Sequence, residues 1–125
     1  MMTGESVKGI GVDLAMIPRM RKVIERWDDR FLRRVFTEEE IAYCQRRRDP
    51  VPHLAARFAA KEAVMKALSQ LDPGRVLAMN QIEVRNDRWG RPHILLHDGR
   101  HRRVKVHVSL SHVDTVAVAS AIAVQ

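Results

Sequence analysis

The chain has 125 residues, 46% hydrophobic and 30% charged, which excludes a disordered or fibrous chain and fits one domain (1–125) with a modest core. Its 22 Lys and Arg outnumber 15 Asp and Glu, for a net charge of +7, so partners should be anionic: nucleic acid, a phosphorylated small molecule, an acidic protein or a membrane surface. One cysteine, Cys44, excludes an internal disulfide, and three Phe, two Trp and one Tyr leave little for a base-stacking platform.

The opening "MMTGESVKGIG" has no apolar signal core, and the longest apolar run, "VAVASAIAV", is too short to span a bilayer. Both point to a soluble cytoplasmic protein. "VKGIGVDL" alternates as a strand does. Ile10, Val12 and Leu14 share one face; Gly9, Gly11 and Asp13 share the other, where the glycines signal close backbone approach. A helix should start near Pro18 and continue past Phe31, with Met16, Ile17, Met20, Ile24, Trp27 and Phe31 on its buried arc. Arg19, Lys22, Arg26, Arg30 and Arg33 form a basic stripe beside that arc, suited to an acidic partner surface. "TEEEIAYCQRR" opens with a capping box, Thr37 and Glu40, and "DPVP" should stop that helix. A third helix is expected from about His53 to Gln70.

After "DPG" the period changes to two. "QIEVR", "HILLH", "RVKVHVSLS" and "TVAVASAIAV" read as strands, with turns at "NDRWGRP" and "SHVD". In the last strand Ala117, Ala119, Ala121 and Ala123 share a face on which the Ala-rich third helix could pack closely. The expected class is α+β, a mostly antiparallel sheet with helices on one face.

The chemistry centres on "RFAAKEAVMKAL", residues 57–68. Glu62 and Lys66 stand one turn apart. An ordinary helix ion pair accounts for their spacing, but not for their place on a stripe with Ala55, Phe58 and Ala59. A carboxylate there could hold a hard cation and a lysine one turn on could neutralise a phosphate. Asp13 is a candidate second ligand, or a cap for the following helix. Two acids among Arg and Lys suit Mg²⁺ better than Zn²⁺. His112 could touch phosphate or ribose; the other histidines show no ligand spacing. Ser109 and Ser111 lack a nucleophile-elbow pattern.

"GIGVDL", "RFAAKEAVMKAL" and "VHVSLSH", in that order, resemble the holo-acyl-carrier-protein synthases, the small phosphopantetheinyl transferases, over nearly the whole chain. "FTEEEIAYC" and "NDRWGRP" resemble that family's second helix and its Gly-Lys/Arg-Pro turn. The resemblance implies a phosphopantetheinyl transferase-like fold and Mg²⁺- (or Mn²⁺-) dependent transfer of 4′-phosphopantetheine from coenzyme A to a serine of an apo acyl carrier protein, with adenosine 3′,5′-bisphosphate leaving. Asp13 and Glu62 match its metal-binding, catalytic acids and Lys66 its phosphate-contacting lysine. Arg57, Lys61, Ser111 and His112 match the coenzyme A pocket, and Gly90, Arg91 and Pro92 the turn beside the nucleotide. Arg19, Lys22, Arg26 and Arg30 fall on the helix that docks the acidic carrier. The carrier serine needs a base, for which Glu62 or a water on the metal could serve. The resemblance also implies a homotrimer with sites between subunits, and no nucleic-acid or membrane partner. "SQLDPG" departs from the family's Gly-Thr-Gly loop, keeping only Gly74. The charge balance leaves one alternative, a non-enzymatic basic module that binds nucleic acid or an acidic protein.

Overall fold

The computed structural model describes residues 4–74, 76–101 and 103–125. Arg102, in the charged run 100–105, lies outside them. Strand β1 (Val7–Met16) leads into helices α1 (Ile17–Trp27), α2 (Asp29–Val35), α3 (Glu38–Gln45) and α4 (Pro50–Leu71). Strands β2 (Ile82–Asn86), β3 (Pro92–Leu96), β4 (Lys105–His112) and β5 (Val116–Val124) follow. The class is α+β as expected, but the strands form two antiparallel sheets: β1-β5-β4, and the hairpin β2-β3. Both turns fall where the sequence puts them. Gly90 takes the left-handed conformation, φ 81°, in the first, and Val113 N donates to Val116 O at 3.0 Å in the second.

Helix α4 lies on one face of the larger sheet. Ala117, Ala119, Ala121 and Ala123 are all buried against it, as are Ala55, Ala59, Ala63 and Ala67 of the helix. On β1 the contact is closer still. A Cβ added at Gly9 would lie 2.0 Å from Ala67 O, and one at Gly11 the same distance from Ala63 O. The glycine face therefore meets the helix, and Ile10, Val12 and Leu14 point away from it; Leu14 is 63% exposed.

The first helix departs from expectation. It breaks at Asp28, whose φ of 52° and ψ of −130° lie outside the helical region. Beyond the break Leu32 and Val35 turn inward beside Phe36, while Trp27 leaves the expected buried arc and is 50% exposed. Helix α4 begins three residues before the expected His53. Asp49 accepts from Val51 N at 3.2 Å and Pro50 fits the first turn, so "DPVP" starts a helix instead of only ending one. The capping box of α3 forms as read: Thr37 Oγ1 accepts from Glu40 N, and Glu40 Oε1 from Thr37 N.

Gly11→Ala should lower stability by about 1–3 kcal/mol or more, because no side chain can yield to the added methyl. Urea unfolding followed by circular dichroism measures this.

Candidate active site

Two groups of polar side chains flank α4. On the β1 side, the pleat that turns Gly9 and Gly11 toward the helix also turns Asp13 toward it. Lys66 Nζ donates to Asp13 Oδ1 at 2.9 Å and to Val12 O at 3.1 Å. Asp13 does not cap α1, whose N-cap position is Met16. Burial raises the pKa of the half-buried Glu62, the charge of Asp13 raises it further, and Lys66 opposes both. Like charges close together in a partly desolvated place are the situation a hard divalent cation relieves. The two carboxylates fit Mg²⁺ or Mn²⁺, and no third His, Cys, Asp or Glu joins them among the described residues. Glu62 and Lys66 open on a cavity of about 210 Å³ with Met65 and Ser69.

The second group lies about 140° around the helix, five residues from Glu62 at ~100° each. Here Arg57 lines a cleft of about 290 Å³ with Gly90, Pro92, Ser111 and His112. Arg57 is only 3% exposed. It donates from Nη1 to His53 O at 3.3 Å and from Nη2 to Asn86 Oδ1 at 2.5 Å, and its guanidinium lies 4.4 Å from the centre of the Tyr43 ring. Its Nε is buried without a partner, and no carboxylate pairs with it among the described residues. A buried cation met only by neutral oxygens is costly unless an anion joins it.

Lys61 corrects an expectation. Its side chain is wholly buried and faces α3 and β2, not the ligand cleft. Nζ donates to Glu40 Oε1 at 2.6 Å, to Met79 O at 2.9 Å and to Ile82 O, which uses all three of its hydrogens. Glu40 in turn accepts from Val84 N at 2.8 Å. Arg91 also stands apart from the cleft that its neighbours line: it bonds Asp87 at 2.9 Å and stacks on Trp89. Arg19, Lys22, Arg26 and Arg30 are exposed, divided by the break at Asp28.

The family profile of the 4′-phosphopantetheinyl transferase superfamily matches residues 9–121. The chain belongs to that superfamily. It is 40% identical over 116 residues to a holo-[acyl-carrier-protein] synthase of Leptospira biflexa, covering 88% of this chain and 91% of that one. Its fold matches the acyl carrier protein synthase of Mycobacterium tuberculosis with a TM-score of 0.76 and 35% identity over 94% of this chain and 97% of the other. It also matches a holo-(acyl-carrier-protein) synthase of Bacillus anthracis in complex with CoA (3′,5′-ADP), with a TM-score of 0.79 and 30% identity over 95% and 97% of the two chains.

In this phosphopantetheinyl transferase the cleft also gathers Tyr43, His53 and Asn86, which nothing in their spacing marks. Asn86 joins the Arg57 guanidinium to the turn, donating from Nδ2 to Gly90 O at 3.0 Å. An Asn-Asp pair opening a glycine turn signals the turn's shape, but not a reach across to a helix 29 residues away.

In metal-free buffer Glu62→Gln should stabilise the protein at neutral pH. A carboxyl whose pKa is raised by folding favours the folded state less as pH rises, so the deficit is complete above the folded pKa and absent below the unfolded one. Melting curves from about pH 4 to pH 8 should show the variant's advantage vanish in acid. Added Mg²⁺ should raise the melting temperature of the wild type and not of Glu62→Gln.

Proposed function

We propose that the protein transfers 4′-phosphopantetheine from coenzyme A to a serine of an apo acyl carrier protein, releasing adenosine 3′,5′-bisphosphate, with Mg²⁺ or Mn²⁺ at Asp13 and Glu62. The observation that carries this reading is Arg57, a buried cation with no acid partner among the described residues. It lines a cleft with the Gly90–Pro92 turn and His112, where the family resemblance expects coenzyme A. The names of the relatives and the coenzyme A bound to the Bacillus anthracis protein support the same substrate pair.

In this reading Arg57 and His112 hold phosphate and the turn fixes the nucleotide. The divalent ion, when bound, supplies positive charge that polarises the attacked phosphoryl group. The serine oxygen bonds to the phosphorus at the pantetheine end of the pyrophosphate, and the bond to the bisphosphate oxygen breaks. The serine proton passes to Glu62 or to a water beside it. Lys66, held at Asp13, offsets charge on the departing bisphosphate. No covalent enzyme intermediate forms.

Arg30 and Arg34 line a groove of about 340 Å³ with Val23, Trp27 and Phe31, and Arg19, Lys22 and Arg26 are exposed on the preceding helix. A basic rim around an apolar groove suits an acidic carrier with one apolar contact of its own. The working assembly is a homotrimer in the cytoplasm, with each site shared by two copies. Two observations support sharing. Ile10, Val12, Leu14 and Ile122 leave one sheet face apolar and exposed, and the acid cluster and anion cleft open on different sides of α4.

An apo carrier incubated with coenzyme A, Mg²⁺ and this protein should gain the mass of one phosphopantetheine. Glu62→Ala should slow the transfer by about 10²–10³-fold. No mass gain with any acidic carrier, or full activity in Glu62→Ala, defeats the reading. Light scattering should give three chain masses for the wild type, and fewer for Leu14→Glu.

A further inference from the structure

His53 lies in the coenzyme A cleft without a part in the proposed reaction. It stands one helical turn before Arg57, and its backbone oxygen accepts from that guanidinium at 3.3 Å. Its ring meets the His112 ring edge-on, with centroids 5.6 Å apart and planes at 75°. The two imidazoles come from different elements, α4 and β4, and form one wall of the cleft.

The charges around this wall are lopsided. Arg57 acts on His53 from its own helix, Arg47 from beyond the end of α3, and His112 from β4. Among the described residues Asp49 is the one acid acting on it, and both carboxylate oxygens of Asp49 are engaged by Arg21, at 2.7 and 3.3 Å. Burial comes first, and the three basic groups add to it, in holding the His53 ring below the ordinary histidine pKa. The protein's own groups therefore favour a neutral imidazole. A phosphate placed among the same groups reverses the balance, because an anion within a few ångströms favours the charged ring.

We propose that His53 is a second imidazole contact of the bound phosphate, beside His112, and that ligand binding draws a proton onto the His53 ring. This deepens the coenzyme A reading and rests on it. The sign of its consequence is fixed. The protonated His53 ring binds the anion more tightly, so KM for coenzyme A falls as pH falls from about 8 toward 6. The ligand's own phosphate also titrates near the lower end of that range, and comparison with a His53 variant cancels its contribution.

The test is calorimetric titration of the protein with adenosine 3′,5′-bisphosphate at neutral pH, in two buffers of different ionisation heat. The wild type should take up a proton fraction on binding. His53→Gln should take up clearly less and bind several-fold more weakly. In the transfer assay the same variant should raise KM for coenzyme A while leaving kcat and KM for the carrier unchanged. Binding without uptake in the wild type overturns the proposal, as does undiminished uptake in His53→Gln. No binding at all by the wild type defeats the coenzyme A reading together with it. If His53→Gln fails to fold, imidazole NMR of the wild type decides. The His53 resonance should move toward its protonated position when the bisphosphate is added, and a stationary resonance overturns the proposal.

Discussion

The absence of side chains at Gly9 and Gly11 sets the geometry of this protein. It lets α4 lie with its Ala63 and Ala67 carbonyls against the β1 backbone, at a depth where even a methyl group would collide. The alanine face of β5, paired with β1, continues that surface. A helix seated this deep brings Glu62 and Lys66 level with Asp13 on the neighbouring strand. Larger residues on this face would lift the helix and separate the acids, even though they would bury more apolar area. Close packing here trades hydrophobic bulk for position.

Four charges on one helix then have three kinds of surroundings. Arg57 is buried against Tyr43 and neutral oxygens and lacks an acid among the described residues. Lys61, one turn later, is equally buried but fully satisfied. Its pair with Glu40 ties α3, α4 and the start of β2 together, which places Asn86 and the Gly90 turn beside Arg57. Burial lowers the Lys61 pKa and Glu40 opposes the fall. Glu62 and Lys66 are partly solvated and face β1. The distinction between Arg57 and Lys61 is one of partners: both are desolvated cations, and only one has a buried carboxylate within 2.6 Å.

Periodicity was enough to read the elements that pack with a regular face. The alanine row of β5, the glycine row of β1 and the capping box of α3 are all local patterns, and each has the place it was given. The same reasoning fails where a distant partner decides. A continuous helical arc through Trp27 and Phe31 hides a single residue outside the helical region, Asp28, because Asp is no strong helix breaker by type. "KEA" shows a lysine beside a glutamate, but not that Lys61 pairs with Glu40, 21 residues earlier. Tyr43, His53 and Asn86 reach the cleft from three elements, and no spacing within one element can reveal that. Asp13, Glu62, Lys66 and His112 stand out as candidates because family motifs carry them, not because the pattern of charges alone selects them.

The two faces of α4 bear on how a complete site is assembled. Arg57 and Glu62 are near neighbours in sequence, yet the turn of the helix points them about 140° apart. Moving either to the other side within one chain would need a rotation that the Gly9 and Gly11 contacts forbid. A ligand that uses both groups must therefore extend around the helix or touch the cleft of one copy and the acids of another. The outer sheet face favours the second arrangement. Ile10, Val12, Leu14 and Ile122 are exposed across adjacent strands in register, with Ile10 opposite Ile122. A second copy covering that row removes apolar area from water. In the proposed trimer the glycine contact that brings three charged groups together thus also explains why the proposed phosphate and metal sites of one chain lie on different sides of α4.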